Sequence, residues 1–480
     1  MTDPTTPEHD PSQEPQGFET RTGWAVGAAV LWVLLIGVVA LIAVFQAQRG
    51  PAAPATPVDP KDTPSFILEF SGRYLAGVPL VMNGLPGGSQ AMTQDQMVEQ
   101  VDLLARNAKS DLERLRITSL WAEFGARERA IEKIDDLLAS GALEPGLAED
   151  AALFRRAMHD GPVSLSDDEK TRLSERHHWL GRLAASLGAD ESDSIRATVL
   201  RDARRTAGTF IGAIVCAFVL GAIGFLLLII GIILLASGSL RRWYHPADSP
   251  RARIAHLESA VLFLILLFPA QYAAAVVGEL WRPGKLILFW SILALALWPL
   301  ARGVDWTTLR RGLGWHAGSL CGLRGGAVGL ARELGCGVLG YLAGVPLVLL
   351  SVAVVALITW LTQQTASHPV TEGIGRAGAA DLVAIYVLAC LWAPIVEETF
   401  FRGALYHSMR GTVGAILSGV VTGLIFAVIH PQGWLGVPII ATLGFNLAMV
   451  REWRGSAIAP MLSHAMVNGG TFTVLIIAMS

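Results

Sequence analysis

Nine apolar stretches, each close to the length that crosses a bilayer, constrain this chain more than any other feature. A spanning helix needs roughly 20 mostly apolar residues, within a range of about 17 to 25. Such runs occur at roughly 24–45, 207–236, 259–278, 286–301, 335–361, 380–396, 412–430, 435–450 and 457–478. Hydrocarbon offers no water to backbone polar groups, so runs of this kind close their hydrogen bonds internally as helices. The expected fold class is all-α, a polytopic helical membrane protein of about nine spans with an inserted α-helical soluble domain. Composition agrees, since 52 % of the 480 residues are hydrophobic and 16 % are charged, where a soluble domain carries about a quarter charged. A net charge of -3, with the basic residues spread among short loops, argues against a nucleic-acid partner.

The runs divide the chain. Residues 1–23 form an acidic tail rich in Pro, Thr and Gln, expected to be disordered, without the basic start of a secretory signal, so the first span, 24–46, reads as an uncleaved anchor. Residues 47–64 hold the Pro-rich linker Pro51 to Pro60. Residues 65–205 form a hydrophilic module with apolar residues at helical spacing: Met97, Val98, Val101 and Leu104, then Ile131, Ile134, Leu137 and Leu138 before a stop at Gly141. Ser166-Asp-Asp-Glu169 predicts a capping box. No fixed period recurs, which favours an irregular bundle over a repeat array. His177 and His178 diverge by about 100° on a helix, lack matching ligands, and read as a solvated face. Membrane helices two to four and their loops occupy 206–334, and the last membrane block 335–480. Cys216, Cys321, Cys336 and Cys390 lie in or beside spans without CxxC spacing, and read as small packing residues.

Basic residues in short loops set orientation. Arg241, Arg242, Arg251 and Arg253, then Arg302, Arg310, Arg311, Arg324 and Arg332, then Arg402 and Arg410, then Arg451 and Arg454 all fall on one side if there are nine spans. Opposite loops hold fewer: Arg282 and Lys285, then Arg376. The expected topology is a multi-pass cell-membrane protein with a cytoplasmic N-terminus and 65–205 outside the cytoplasm.

Ionisable groups at membrane depth mark function by default. Glu397 and Glu398 end the sixth run, and Arg402 follows Glu398 by four residues, the spacing at which a carboxylate and a guanidinium touch along one helix. His430 closes the run Leu424–Ile429. His464 and Asn468 share a helix face deep in the ninth run, where lipid satisfies neither. Each alone has a plainer reading, as an interfacial charge, a helix-end histidine or an interhelical clamp. Together they supply a base, an acid and oxyanion donors, the requirements of peptide hydrolysis. Glu397 with His430 is placed to activate water, and His464 with Asn468 to hold the oxyanion.

At these residues the chain resembles the CPBP family of CAAX-processing and bacteriocin-processing intramembrane endopeptidases, over roughly 335–478. The motif EExxxR stands as Glu397 to Arg402, FxxxH as Phe426 to His430, and HxxxN as His464 to Asn468. The resemblance implies a helical bundle cutting membrane-associated protein or peptide substrates, with Glu397 as base, His430 assisting, His464 and Asn468 stabilising the intermediate, and Glu398 and Arg402 in support. It leaves metal use open. Glu397, His430 and His464 are the ligands if zinc is used, no HExxH helix fixes them, and a metal-independent mechanism is the alternative. The 65–205 module is extra to the catalytic core and is expected to meet an extracytoplasmic partner. The competing readings are a proton-coupled secondary transporter and a non-catalytic scaffold or immunity protein of the same family.

Overall fold

The computed structural model describes residues 21–48, 66–83, 92–108, 110–141, 143–246, 249–319, 325–362 and 379–479. The N-terminal tail to residue 20, the Pro-rich linker, Cys321, Arg324 and Arg376 lie outside the described residues. In chain order the helices are α1 (Arg21–Gln48), α2 (Phe66–Met82), α3 (Gln94–Arg106), α4 (Asp111–Glu123), α5 (Arg127–Ala139), α6 (Pro145–Asp160), α7 (Asp167–Ala185) and α8 (Ser194–Ala236). There follow α9 (Pro250–Leu280), α10 (Gly284–Ala301), α11 (Trp306–Leu313), α12 (Gly326–Thr362), α13 (Ala380–Val413), α14 (Ala415–Val428), α15 (Gly433–Arg454) and α16 (Ile458–Met479). No strand occurs among the described residues. The protein is an all-α, multi-pass membrane protein.

Eight of these helices are long and apolar enough to span a bilayer. The run expected to span at 412–430 becomes α14, with 14 residues. At 1.5 Å per residue that is about 21 Å, short of a core about 30 Å thick. A second difference concerns the sixth run. The helix does not stop at the glutamates but continues as α13 to Val413, because two π-helical segments, Leu388–Trp392 and Thr399–Leu405, absorb what would otherwise break it. In the second, the Tyr406 N–H reaches back five residues to the Phe401 carbonyl. Such insertions in α-helices recur at functional sites.

Two compact units divide the residues: Met1–Arg49, Ile223–Thr365 and Ala389–Met466 in one, Gly50–Ala222, Ala366–Leu388 and Val467–Ser480 in the other. In the second, α4 packs against α5, α6 and α7, a closed bundle instead of a solenoid in which each repeat touches only its neighbours. Its core joins Leu115, Leu120, Ile134, Phe154, Leu173 and Trp179, all buried. The Ser166–Glu169 capping box forms, with the Ser166 N–H donating to Glu169 Oε2 at 2.8 Å. Gly141, just past α5, has φ +63°, where a side chain would be strained.

His177 corrects the solvated-face reading. It is 1 % exposed, its Nε2 lies 3.1 Å from Asp150 Oδ2, and its ring meets Phe154 edge-on at 4.9 Å. Arg116 Nε donates to His177 Nδ1 at 3.4 Å, so Nε2 carries the proton and donates to Asp150. Burial pushes the His177 pKa down, and Asp150 opposes only part of that fall. Burial alone would raise Asp150, but His177, Arg176 and Arg172 outweigh it and hold the carboxyl below its usual range. The pattern escaped the sequence because Asp150 comes from α6, 27 residues earlier. His178 next to it has φ 52° and ψ -129°, which kinks α7.

In the first unit, glycines bring helices together, as membrane helices without a hydrophobic drive require. Gly337, Gly340 and Gly344 of α12 accept close contact from Leu462, Val450 and Asn446. The Asn446 side chain donates to the Gly340 carbonyl at 3.1 Å. Phe263 of α9 stacks on Phe400 of α13 with ring centroids 4.1 Å apart.

Candidate active site

The site forms where α13, the end of α14 and α16 meet. Glu398 and Arg402 lie at the second π segment and are wholly buried, with Arg402 Nη1 donating to Glu398 Oε1 at 2.9 Å. The neighbouring helices supply further contacts to the guanidinium, whose Nε is buried without a hydrogen-bond partner. Its Nη2 donates to the Gly444 carbonyl of α15 at 3.1 Å, and the Phe426 ring of α14 lies 4.6 Å from its central carbon. Gly444 is needed there: a Cβ would stand 2.7 Å from Gly423 Cα across the α14–α15 contact.

His464 joins this pair. Its Nδ1 lies 2.9 Å from Glu398 Oε1, and since that carboxylate already accepts from Arg402, Nδ1 is the donor. His430 follows α14, and its Nδ1 lies 2.5 Å from the Phe426 carbonyl, which can only accept. Both rings therefore turn Nε2 toward Glu397, whose Oε2 is 3.8 Å from His464 Nε2 and 4.0 Å from His430 Nε2. Glu397 Oε2 is buried without a hydrogen-bond partner, whereas the side chains of Glu397 and His430 keep 17 % and 21 % exposure. Glu398 Oε2 is likewise buried without a hydrogen-bond partner, so the glutamates differ in that Glu398 is held through Oε1 and wholly buried, whereas Glu397 borders accessible space.

The structure brings Glu397, Glu398, Arg402, His430 and His464 together. Asn468 lies one turn after His464 on α16. Sequence reasoning overlooked Gly444, which shows no polar side chain, and the ring contacts of Phe426 with His430 at 4.4 Å and His464 at 5.8 Å. It also missed Trp315, whose indole donates to Thr399 Oγ1 at 3.0 Å, one residue past the glutamates.

Residues 379–470 match the family model described as Type II CAAX prenyl endopeptidase Rce1-like. This segment is similar to the CAAX-processing, or CPBP, family. All three motifs fall within the matched residues. The CPBP segment covers the helices that carry the glutamates and histidines, and leaves the α2–α7 bundle outside the match. Comparisons with curated proteins and with solved structures returned no match. A CPBP segment in a multi-pass membrane protein supports an intramembrane CAAX-type protease in general terms.

The CPBP site also bears on metal use. Among the described residues no three His, Cys, Asp or Glu side chains are grouped closely enough to hold an ion as they stand. The residue types are ones that zinc accepts, two imidazoles with Nε2 toward one carboxylate, each fixed through Nδ1 by an outer acceptor, Glu398 for His464 and the Phe426 carbonyl for His430.

Proposed function

We propose that the protein is an intramembrane endopeptidase in which Glu397 activates water. The reading rests on one observation above the others: Nε2 of two histidines from different helices faces the single buried Glu397 oxygen. A water entering between them donates one hydrogen to Glu397 Oε2 and the other to His430 Nε2, since both are acceptors. Glu397 takes the proton as oxygen attacks the scissile carbonyl carbon, and returns it to the leaving amine nitrogen as the C–N bond breaks. Two roles of one carboxylate suit general base and then general acid. His464, locked by Glu398 and Arg402, sets the opposite wall. Asn468 would supply an amide N–H to the oxyanion.

If zinc is taken up, Glu397, His430 and His464 would hold it, and it would polarise the carbonyl and acidify bound water. Metal content of the purified protein, compared before and after chelator alongside activity, decides this. The substrate is a membrane-associated protein or peptide, because the site lies among spanning helices. The basic residues after the second and fourth spanning helices support a cytoplasmic N-terminus with the α2–α7 bundle outside, and a reporter fused in that bundle tests the orientation.

The test of function is cleavage. Wild type, Glu397→Gln and His430→Ala are purified in detergent and offered a library of peptides and membrane proteins, with products read by mass spectrometry. Cleavage by wild type alone is expected, with Glu397→Gln slower by about 10²- to 10⁴-fold. Equal cleavage by the folded variants would remove Glu397 and His430 from the chemistry.

A further inference from the structure

Arginines collect at one end of the first unit, and hydrolysis at Glu397 does not use them. Short as it is, α14 turns the chain back so that the last turns of α13 and α15 meet, with Arg410 Nη2 donating to Glu452 Oε1 at 2.6 Å. The connection from α8 to α9 lies against both. Its Trp243 N–H donates to the Trp453 carbonyl at 3.1 Å, its Arg242 lies 3.7 Å from Glu452, and Arg253, in the first turn of α9, donates to Thr412 Oγ1 at 3.1 Å. The short helix α11 joins this end as well, because Arg451 Nη2 donates to the Arg311 and Gly312 carbonyls at 3.1 and 2.8 Å.

The acids there are engaged. Glu258 is met by Arg302 at 2.9 Å, Glu333 by Arg454 at 2.7 Å and Glu452 by Arg410, while Asp305 Oδ1 accepts the Thr308 N–H at 2.9 Å and caps α11. Arg241, Arg253 and Arg310 remain without an ion-pair partner among the described residues. Two of the three lie over tryptophans, Arg241 at 4.2 Å from the centre of the Trp243 ring and Arg310 at 6.0 Å from that of Trp306. Arg241 and Trp306 are exposed. A guanidinium stacked by its face keeps in-plane N–H donors pointing outward, in the fork that suits a phosphate. The spanning helices α8, α9, α13 and α15 all begin or end here, and tryptophan is enriched where such helices leave the hydrocarbon.

We propose that this end docks anionic phospholipids, with headgroup phosphates on Arg241 and Arg310 and the Trp243 and Trp306 rings at the level of the headgroups. Charge complementarity carries the assignment, since the acids are neutralised and the unengaged cations face an interface whose counter-charge is phosphate. The rings favour lipid over a soluble anion, because an indole at that level has an apolar body and a polar N–H to place in the two phases. This inference concerns binding and stands apart from the hydrolytic reading.

The experiment titrates the full-length protein, in a nonionic detergent, with phosphatidylglycerol or with phosphatidylcholine of the same acyl chains, and counts bound lipid by native mass spectrometry. Preferential retention of phosphatidylglycerol is expected. Arg241→Gln with Arg310→Gln should weaken it by about 30-fold, at about fivefold for each charge near a lipid surface. A melting curve checks the fold, and if the double variant melts early the exposed Arg241→Gln alone carries the test with its about fivefold loss. Arg114→Gln with Lys133→Gln in the helical bundle removes the same formal charge elsewhere and should leave retention unchanged. Equal retention of phosphatidylcholine, retention indifferent to Arg241 and Arg310, or an equal loss in the bundle variant overturns the proposal. Displacement of the lipid by inorganic phosphate at the same concentration would also overturn it, since a soluble anion would then be the ligand.

Discussion

His464 Nδ1 donates to Glu398 Oε1 at 2.9 Å, and the same oxygen accepts from Arg402 Nη1 at 2.9 Å. One buried carboxylate oxygen thereby ties α16 to α13. The second glutamate of the pair is left to face His430 and His464 without a hydrogen bond to its Oε2. Adjacent positions at the end of one α-helical turn, just before the second π segment, separate a carboxylate bound to the protein from one that borders accessible space.

Removing one side of that buried pair should cost more than removing both. Arg402→Met leaves the Glu398 charge uncompensated, and a loss of about 3 to 5 kcal/mol is expected. Combining it with Glu398→Gln should recover part of the loss, because no unpaired charge remains. Thermal unfolding of the two single variants and the double variant checks this. Strictly additive losses would show that the residues do not act on each other.

Gly444 should tolerate no side chain. A Cβ there meets Gly423 Cα at 2.7 Å and approaches Arg402 Nη2 at 3.4 Å. Gly444→Val forces α14 from α15 and is expected to destabilise by about 1 to 3 kcal/mol and to reduce cleavage through displacement of Arg402. A variant with wild-type melting and turnover would contradict the packing described.

His178 holds a conformation that glycine prefers, with φ 52° and ψ -129°. Strain of this kind costs on the order of 1 to 3 kcal/mol, and glycine adds about 0.5 to 1 kcal/mol of chain entropy to overcome. His178→Gly should therefore stabilise the bundle by about 1 kcal/mol, and His178→Val should destabilise it. Amide exchange of α7 in the full-length protein reads both, and slower exchange in the valine variant would refute the strain.

Acid should loosen the same bundle in two stages. His177 has a folded pKa below its ordinary 6.5, so the unfolded chain takes up its proton first, and stability present above about 6.5 is lost as pH falls toward the folded value. Asp150, held below 3.8, adds a second loss as pH falls through the carboxylate range. The opening free energy read from exchange in α6 and α7, after division by the intrinsic pH-dependent rate, should be flat from pH 7 to 8 and fall below about 6.5. His177→Gln should remove the first stage and weaken the second, because His177 is among the groups that hold Asp150 low. Identical pH curves for both proteins would exclude His177 as the source.

Much of the architecture was readable along the chain because the signals are local. Apolar length predicts spanning helices, and eight of the nine expected runs coincide with one, most of the helices extending beyond the run. The four-residue interval predicts that Glu398 and Arg402 touch, and Ser166 with Glu169 predicts a cap, since helix geometry alone sets those distances. What needed the third dimension was every relation between distant segments. Only the packing of α14 and α16 on α13 aims two histidines at Glu397, and only α6 against α7 buries His177. The sequence cannot tell which of two adjacent glutamates is bound and which is accessible. That depends on neighbours 66 residues away at His464 and on a π segment whose extra residue keeps α13 continuous. Sequence by itself determined the helices, their spacing and the kinds of side chain available. Tertiary structure decided their partners, because burial and hydrogen bonding between helices are set by packing that no local pattern encodes.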